Sequence, residues 1–192
     1  GSTKASVIPF SRKEKLSKGA YLDGTKIIVK GSDDREHLIC DRSELRIIGD
    51  HNVENVLAAA AVSFFAGIDP DVISSSVKEF PGVEHRIEFC GRVDGVDYYN
   101  DSKGTNTDAA AKAVDAMTAP TVLIAGGYDK GADYTDWIKG FHGKIRDMIL
   151  IGQTAEKIKA TALKCGFDHL HMCARDALAA AQPRDPHLYA IQ

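Results

Sequence analysis

From Thr107 onward the sequence alternates strand-like and helix-like segments joined by short loops, and this rhythm constrains the fold more than any other feature. Helices are expected at Thr107–Met117, Tyr134–Phe141, Ala155–Cys165 and Ala174–Ala181, interleaved with strands at Thr121–Ala125, Asp147–Ile151, around His169 and at Leu188–Ile191. Sequential strands separated by helical crossovers pair in parallel, so the expected fold class is α/β, a Rossmann-like domain with a mainly parallel sheet covered by helices.

The first part of the chain is built differently. Short strands are expected at Ala5–Phe10, Gly19–Leu22, Lys26–Lys30 and His37–Cys40, with Asp23-Gly24 and Gly31-Ser32-Asp33-Asp34 as turns, because Asp and Gly tolerate the positive φ of tight hairpins. An Ala-rich helix follows from His51 to Gly67, apolar almost all round and therefore expected to be buried. A second helix from about Asp69 to Phe80 ends at Pro81-Gly82, the expected domain boundary. Beyond it, Arg86–Val93 and Val96–Asn100 read as a hairpin closed by Asp94-Gly95. The expected organisation is thus part of a mixed α/β domain in residues 1–82 and a Rossmann-like domain in 83–192.

Composition narrows the function. The 192 residues carry 24 Lys plus Arg against 27 Asp plus Glu, a formal net charge of −3, which argues against nucleic acid or an anionic membrane as partner. No apolar run approaches the roughly 20 residues of a membrane span. Cys40, Cys90, Cys165 and Cys173 lack C-x-x-C spacing, so reduced thiols and a cytoplasmic location are expected.

Several segments carry residue types suited to ligand chemistry. Asn52 and Asn55, three apart at a helix start, share a face whose amides match an adenine edge, although Asp50 or Asn52 could equally serve as an N-cap. In Glu84-His85-Arg86, after the Pro-Gly boundary, the guanidinium offers the planar fork that phosphate requires, whereas a solvated strand edge would look the same. Asn100 to Asn106 lies where a strand ends and a helix begins, the place where α/β sheets bind ligands. There Asp101 could accept from ribose hydroxyls, Lys103 could neutralise an anion, and Thr105 could bind ligand or cap the helix. Gly126-Gly127-Tyr128-Asp129-Lys130-Gly131 lets a ligand approach the backbone closely, but neither a P-loop nor G-x-G-x-x-G is present. His169, His171 and Cys173 alternate but lack a visible fourth ligand, and packing is the preferred reading.

Taken in order, HNVENVLAAAAV, FPGVEHR, YYNDSKGTN and VLIAGGYDKGADY resemble the Mur ligases of bacterial cell-wall synthesis over nearly the whole chain, most closely the members that add D-glutamate. The resemblance implies that residues 1–82 are the C-terminal part of the central ATP-binding domain and 83–192 most of the C-terminal domain. The family's P-loop, carbamylated lysine and metal ligands would belong to preceding sequence, so the chain alone is expected to be inactive and to hold no metal site. The implied reaction is ATP- and Mg2+-dependent addition of D-glutamate to UDP-N-acetylmuramoyl-L-alanine through an acyl phosphate, with domain closure about Pro81-Gly82. By resemblance Asn52, Asn55, His85, Arg86 and Asp101 contact nucleotide, Lys103 and Thr105 line the reaction site, and Lys130, with Thr105, binds the amino acid. Tyr128-Asp129 departs from the family's more usual Asp-Gly. The alternatives are another Mur or folylpolyglutamate-type ligase, or a non-catalytic nucleotide-binding module. Oligomeric state is open.

Overall fold

The computed structural model describes residues 5–173, and the segments expected as a helix at 174–181 and a strand at 188–191 lie outside the described residues. The chain divides after Gly82 into two compact units.

In the first unit, four strands form one sheet in sequential order: β1 (Phe10–Ser11), β2 (Gly19–Asp23), β3 (Lys26–Lys30) and β4 (Glu36–Asp41). The β2–β3 and β3–β4 pairs are antiparallel hairpins, while β1 adds in parallel to β2. The first of these strands is much shorter than its sequence reads, because Pro9 has no N–H to donate and joins the sheet only through its carbonyl, which accepts from Ala20 N at 3.2 Å. Asp23 pairs with Lys26, so Gly24, at φ +62°, and Thr25 form the tight turn.

Two helices, α1 (Asp50–Phe65) and α2 (Pro70–Glu79), pack on this sheet. Ala20, Ile27, Val29 and Ile39 from the strands meet Val53, Val56, Leu57, Ala60 and Ala61 from α1 and Ile73 from α2. The expectation of an all-round buried α1 is corrected: burial follows one stripe at helical spacing, and Val62 is 71% exposed. Asp69 caps α2 by accepting from Asp71 N at 2.8 Å, and Pro70 occupies the first turn, where a missing N–H costs nothing.

The second unit opens with an antiparallel hairpin, β5 (Glu88–Val93) and β6 (Val96–Asn100). Val93 pairs with Val96 across Asp94 at φ +50° and Gly95 at φ +81°, the two left-handed residues that a primed two-residue turn requires. β5 starts at Glu88 rather than Arg86, since His85 (φ +64°) and Ile87 (φ +46°) take left-handed backbone that no strand accommodates. Helix α3 (Thr107–Ala116) leads to β7 (Thr121–Gly126), α4 (Thr135–Lys139), β8 (Ile145–Ile151), α5 (Ala155–Lys164) and β9 (Leu170–Met172). β7, β8 and β9 form a parallel sheet in that order. Its core contains Val114, Leu123, Met148, Leu150, Ile158 and Ala162, nearly or wholly excluded from solvent. The four cysteines are free. Among the described residues no helix is long and apolar enough to cross a membrane.

Candidate functional site

The strand ends of the second unit create a cleft of about 290 Å³ between the loop after β6, the start of α3, the end of β7 and the start of α5. Its mouth is polar, with Thr105, Asn106 and Lys130, and its floor is apolar, with Ala110, Leu123 and Ile158. Parallel strands leave their carboxyl ends diverging into loops, and such an edge is where a ligand fits without disturbing the ladder.

Two glycines shape the floor. Gly126, at φ +139°, ends β7, and a Cβ there would overlap the Ile151 carbonyl oxygen on the neighbouring strand. Gly127 then donates to Ile151 O at 3.3 Å, and its own carbonyl accepts from Thr154 N at 3.1 Å. The two loops therefore run side by side through backbone contacts that side chains would hold apart.

The Lys130 loop is fastened at its preceding residue. Asp129 N donates to Gln153 Oε1 at 3.2 Å, and the Asp129 carboxylate accepts from Gly131 N at 2.8 Å and from Lys157 Nζ at 3.1 Å. The Gly131 N–H, then Lys157, hold the Asp129 carboxyl below its ordinary range. Lys157 also lies 5.6 Å from the Tyr134 ring centroid. Lys130 itself stays exposed at the cleft.

Asp101 is buried, with 3% of its surface exposed, at the carboxyl end of β6. Burial pushes its carboxyl above the ordinary value, opposed by the Ile87 N–H it accepts at 3.0 Å and by the charge of Arg86. Its backbone carbonyl accepts from Gly104 N at 2.7 Å, and a Cβ on Gly104 would collide with the carboxylate. Thr105 does not cap α3; Asn106 does, accepting from Ala109 N at 2.8 Å.

The cleft gathers Asp101, Thr105 and Lys130 and leaves out Lys103, His85 and Arg86. Lys103 is exposed and meets His85 through its backbone, donating to His85 O at 2.9 Å. His85 N donates to Glu88 Oε2 at 2.7 Å, and its Nδ1 lies 2.9 Å from Asn100 Nδ2. In the first unit, Asn52 and Asn55 do share a face of α1: Asn55 Nδ2 donates to Asn52 Oδ1 at 3.3 Å, and Asn52 Nδ2 donates to Ile48 O at 2.8 Å. The capping reading is corrected there. Gly49 is the N-cap residue of α1, without a side-chain cap, and Asp50 instead pairs with Arg12 and Arg42, each at 2.8 Å.

Sequence reasoning missed Trp137, which lines the cleft floor and whose indole N–H has no partner among the described residues. It also missed the Asp101–Ile87 tie; neither has a local sequence signal. Asp147 sits 3.1 Å from His171 Nε2 and 3.9 Å from His169 Nδ1, and among the described residues no His, Cys, Asp or Glu cluster is arranged to hold a metal ion.

The sequence profile described as Mur ligase, glutamate ligase domain, matches residues 85–188. A UDP-N-acetylmuramoylalanine–D-glutamate ligase from Thermoanaerobacter sp. (strain X514) is 51% identical over 164 residues, covering 85% of this chain and 36% of the relative. The enzyme of that name from Lachnospira eligens is 45% identical over 187 residues, covering 92% and 41%. The chain thus spans little more than a third of the length of the curated relatives it matches. Among solved structures, the UDP-N-acetylmuramate-alanine ligase of Thermotoga maritima superposes with a TM-score of 0.70 at 14% identity, over 96% of this chain and 44% of that one. The folylpolyglutamate synthase of Mycobacterium tuberculosis gives 0.61 at 16% identity, over 94% and 45%. At such identities the likeness is one of fold.

Proposed function

The chain belongs to the Mur ligase family, and on that premise we propose that the protein carrying it is an ATP-dependent amide-forming ligase that adds D-glutamate to UDP-N-acetylmuramoyl-L-alanine in the cytoplasm. One observation carries the reading furthest: an acceptor, a hydroxyl and a cation (Asp101, Thr105 and Lys130) converge on one cleft at the carboxyl ends of the strands, in a chain 51% identical to a D-glutamate ligase. Residues 1–82 are then the C-terminal part of the central ATP-binding domain and 83–192 the C-terminal domain.

In this reading the alanyl carboxylate oxygen attacks the γ-phosphorus of ATP and ADP leaves. The D-glutamate amine next attacks the acyl carbon of the acyl phosphate, releasing phosphate and a proton. A carboxylate is a poor acyl donor until one oxygen becomes a good leaving group, which is what phosphorylation achieves. Lys130 would hold a D-glutamate carboxylate at the mouth of the cleft, with Thr105 donating or accepting beside it. Asp101 suits ribose hydroxyls: a carboxylate has about four lone-pair sites, and a single N–H is found on it. Asn52 and Asn55 would meet the adenine, Arg86 the phosphates, and Lys103 the charge developing on the transferred group. Mg2+ enters only as the ion that accompanies ATP.

The test is ATP hydrolysis coupled to ligation, with UDP-N-acetylmuramoyl-L-alanine and D-glutamate, on a protein of the relatives' full length carrying these residues and on this chain alone. D-Glutamate-dependent phosphate release by the longer protein supports the reading. Release with another amino acid in its place would move the protein to a sister ligase.

A further inference from the structure

Arg86 stands between two residues in unfavourable backbone. A non-glycine residue with positive φ is uncommon, and for a β-branched residue such as Ile87 it is a genuine outlier. Such conformations persist only where surrounding contacts impose them. Here the contacts are explicit. Ile87 N donates to Asp101, His85 O accepts from Lys103 N, and His85 N donates to Glu88 Oε2. Glu88 and Asn100 are partners across the β5–β6 ladder, and both reach the same imidazole: Glu88 Oε2 is 3.3 Å and Asn100 Nδ2 2.9 Å from His85 Nδ1. Arg86 itself is exposed, and its charge acts on the Asp101 carboxylate that holds the Ile87 N–H.

We propose that Glu88, with Asn100 opposite it, is a positioning residue that braces the His85–Ile87 turn so that the exposed Arg86 guanidinium is presented to a nucleotide phosphate, His85 serving the brace. The brace works through reach as well as charge, because the Glu88 oxygen caps a backbone N–H that the left-handed residue His85 cannot offer to a ladder. The inference rests on the ligase reading above.

The experiment uses the full-length enzyme and compares Glu88→Asp, which keeps the charge but loses the reach, with Glu88→Gln, which keeps an acceptor at full reach. Glu88→Asp should raise the KM for ATP about tenfold while the KM for D-glutamate stays within about twofold, and Glu88→Gln should stay within about threefold of wild type on both. An ATP KM within about twofold of wild type in Glu88→Asp, or an equal rise in both KM values, overturns the proposal. Should Glu88→Asp not fold, Asn100→Leu decides: a selective rise in ATP KM supports the brace, and an unchanged value overturns it. A wild-type enzyme without D-glutamate-dependent ATP turnover would instead sink the ligase reading itself.

Discussion

The Asp101 carboxylate accepts the backbone N–H of Ile87 at 3.0 Å, tying the end of β6 to a turn fourteen residues earlier in the chain. The same buried side chain lines the cleft, where it is the candidate ribose acceptor. Asp101→Asn keeps an oxygen for Ile87 and should retain most of the stability, whereas Asp101→Ala leaves a buried N–H unpaired and should cost about 1–3 kcal/mol. Trp137, the only tryptophan of the chain, belongs to the second unit, so denaturant titration followed by its fluorescence reads this difference.

The direction of the Asp101 shift sets a pH dependence. Its carboxyl in the folded protein lies above the ordinary 3.8, so its favourable contribution is complete below 3.8 and lost as pH rises through the folded value. Relative to wild type, Asp101→Asn should therefore gain stability as pH rises from 3.8 toward neutrality. A difference that stays flat over this range would contradict the assignment.

Asp41 behaves in the opposite sense. The Thr25 hydroxyl, then Ser43 through its N–H at 2.9 Å and its hydroxyl at 2.7 Å, hold this half-buried carboxyl down at about 2. Its contribution is present above 3.8 and is lost as pH falls through about 2. Asp41→Asn should flatten the acid-induced loss of the first unit between those values, measured from the amide signals of Ile27 and Val29.

Gly126 and Gly127 differ in what surrounds them. A methyl at Gly126 would overlap the Ile151 carbonyl, while at Gly127 it meets open space and only the φ of +131° opposes it. Gly126→Ala should cost about 3 kcal/mol or more and Gly127→Ala about 1–3 kcal/mol. Thermal unfolding followed at Trp137 gives the order, and equal losses would remove the argument from close strand approach.

Lys130 is exposed at the cleft on a loop pinned by Asp129, Gln153 and Lys157. In the full-length enzyme Lys130→Ala should raise the KM for D-glutamate at least tenfold and the KM for ATP less than threefold. Lys157→Met, which loosens the pin without touching the cation, should raise the D-glutamate KM by a smaller factor of about three. Steady-state kinetics with each substrate varied in turn checks both, and an unchanged D-glutamate KM in Lys130→Ala removes Lys130 from the amino-acid site.

Local chemistry was legible wherever neighbours in sequence decide the backbone. Asp94-Gly95 closes its hairpin with two positive φ values, Asp69 and Pro70 open α2, and the strand–helix rhythm after Thr107 yields the parallel sheet β7–β8–β9. The position of the Lys130 loop at the carboxyl end of β7 was also legible, because the βα loops of a parallel sheet emerge at that edge, whereas the loop bearing Asp101 and Thr105 leaves the antiparallel pair β5–β6 and meets it only in the cleft. The turn at His85–Ile87, the separation of Lys103 from the cleft and the need for glycine at Gly126 were not. Each depends on an atom far along the chain: the Asp101 carboxylate, the His85 carbonyl, the Ile151 carbonyl. By itself, then, the sequence determined the elements and their order, since periodicity and turn propensity act over a few residues. Only the tertiary structure decided which of those side chains share a cleft and which strained backbone is held in place, because packing and hydrogen bonds between distant segments override local preference.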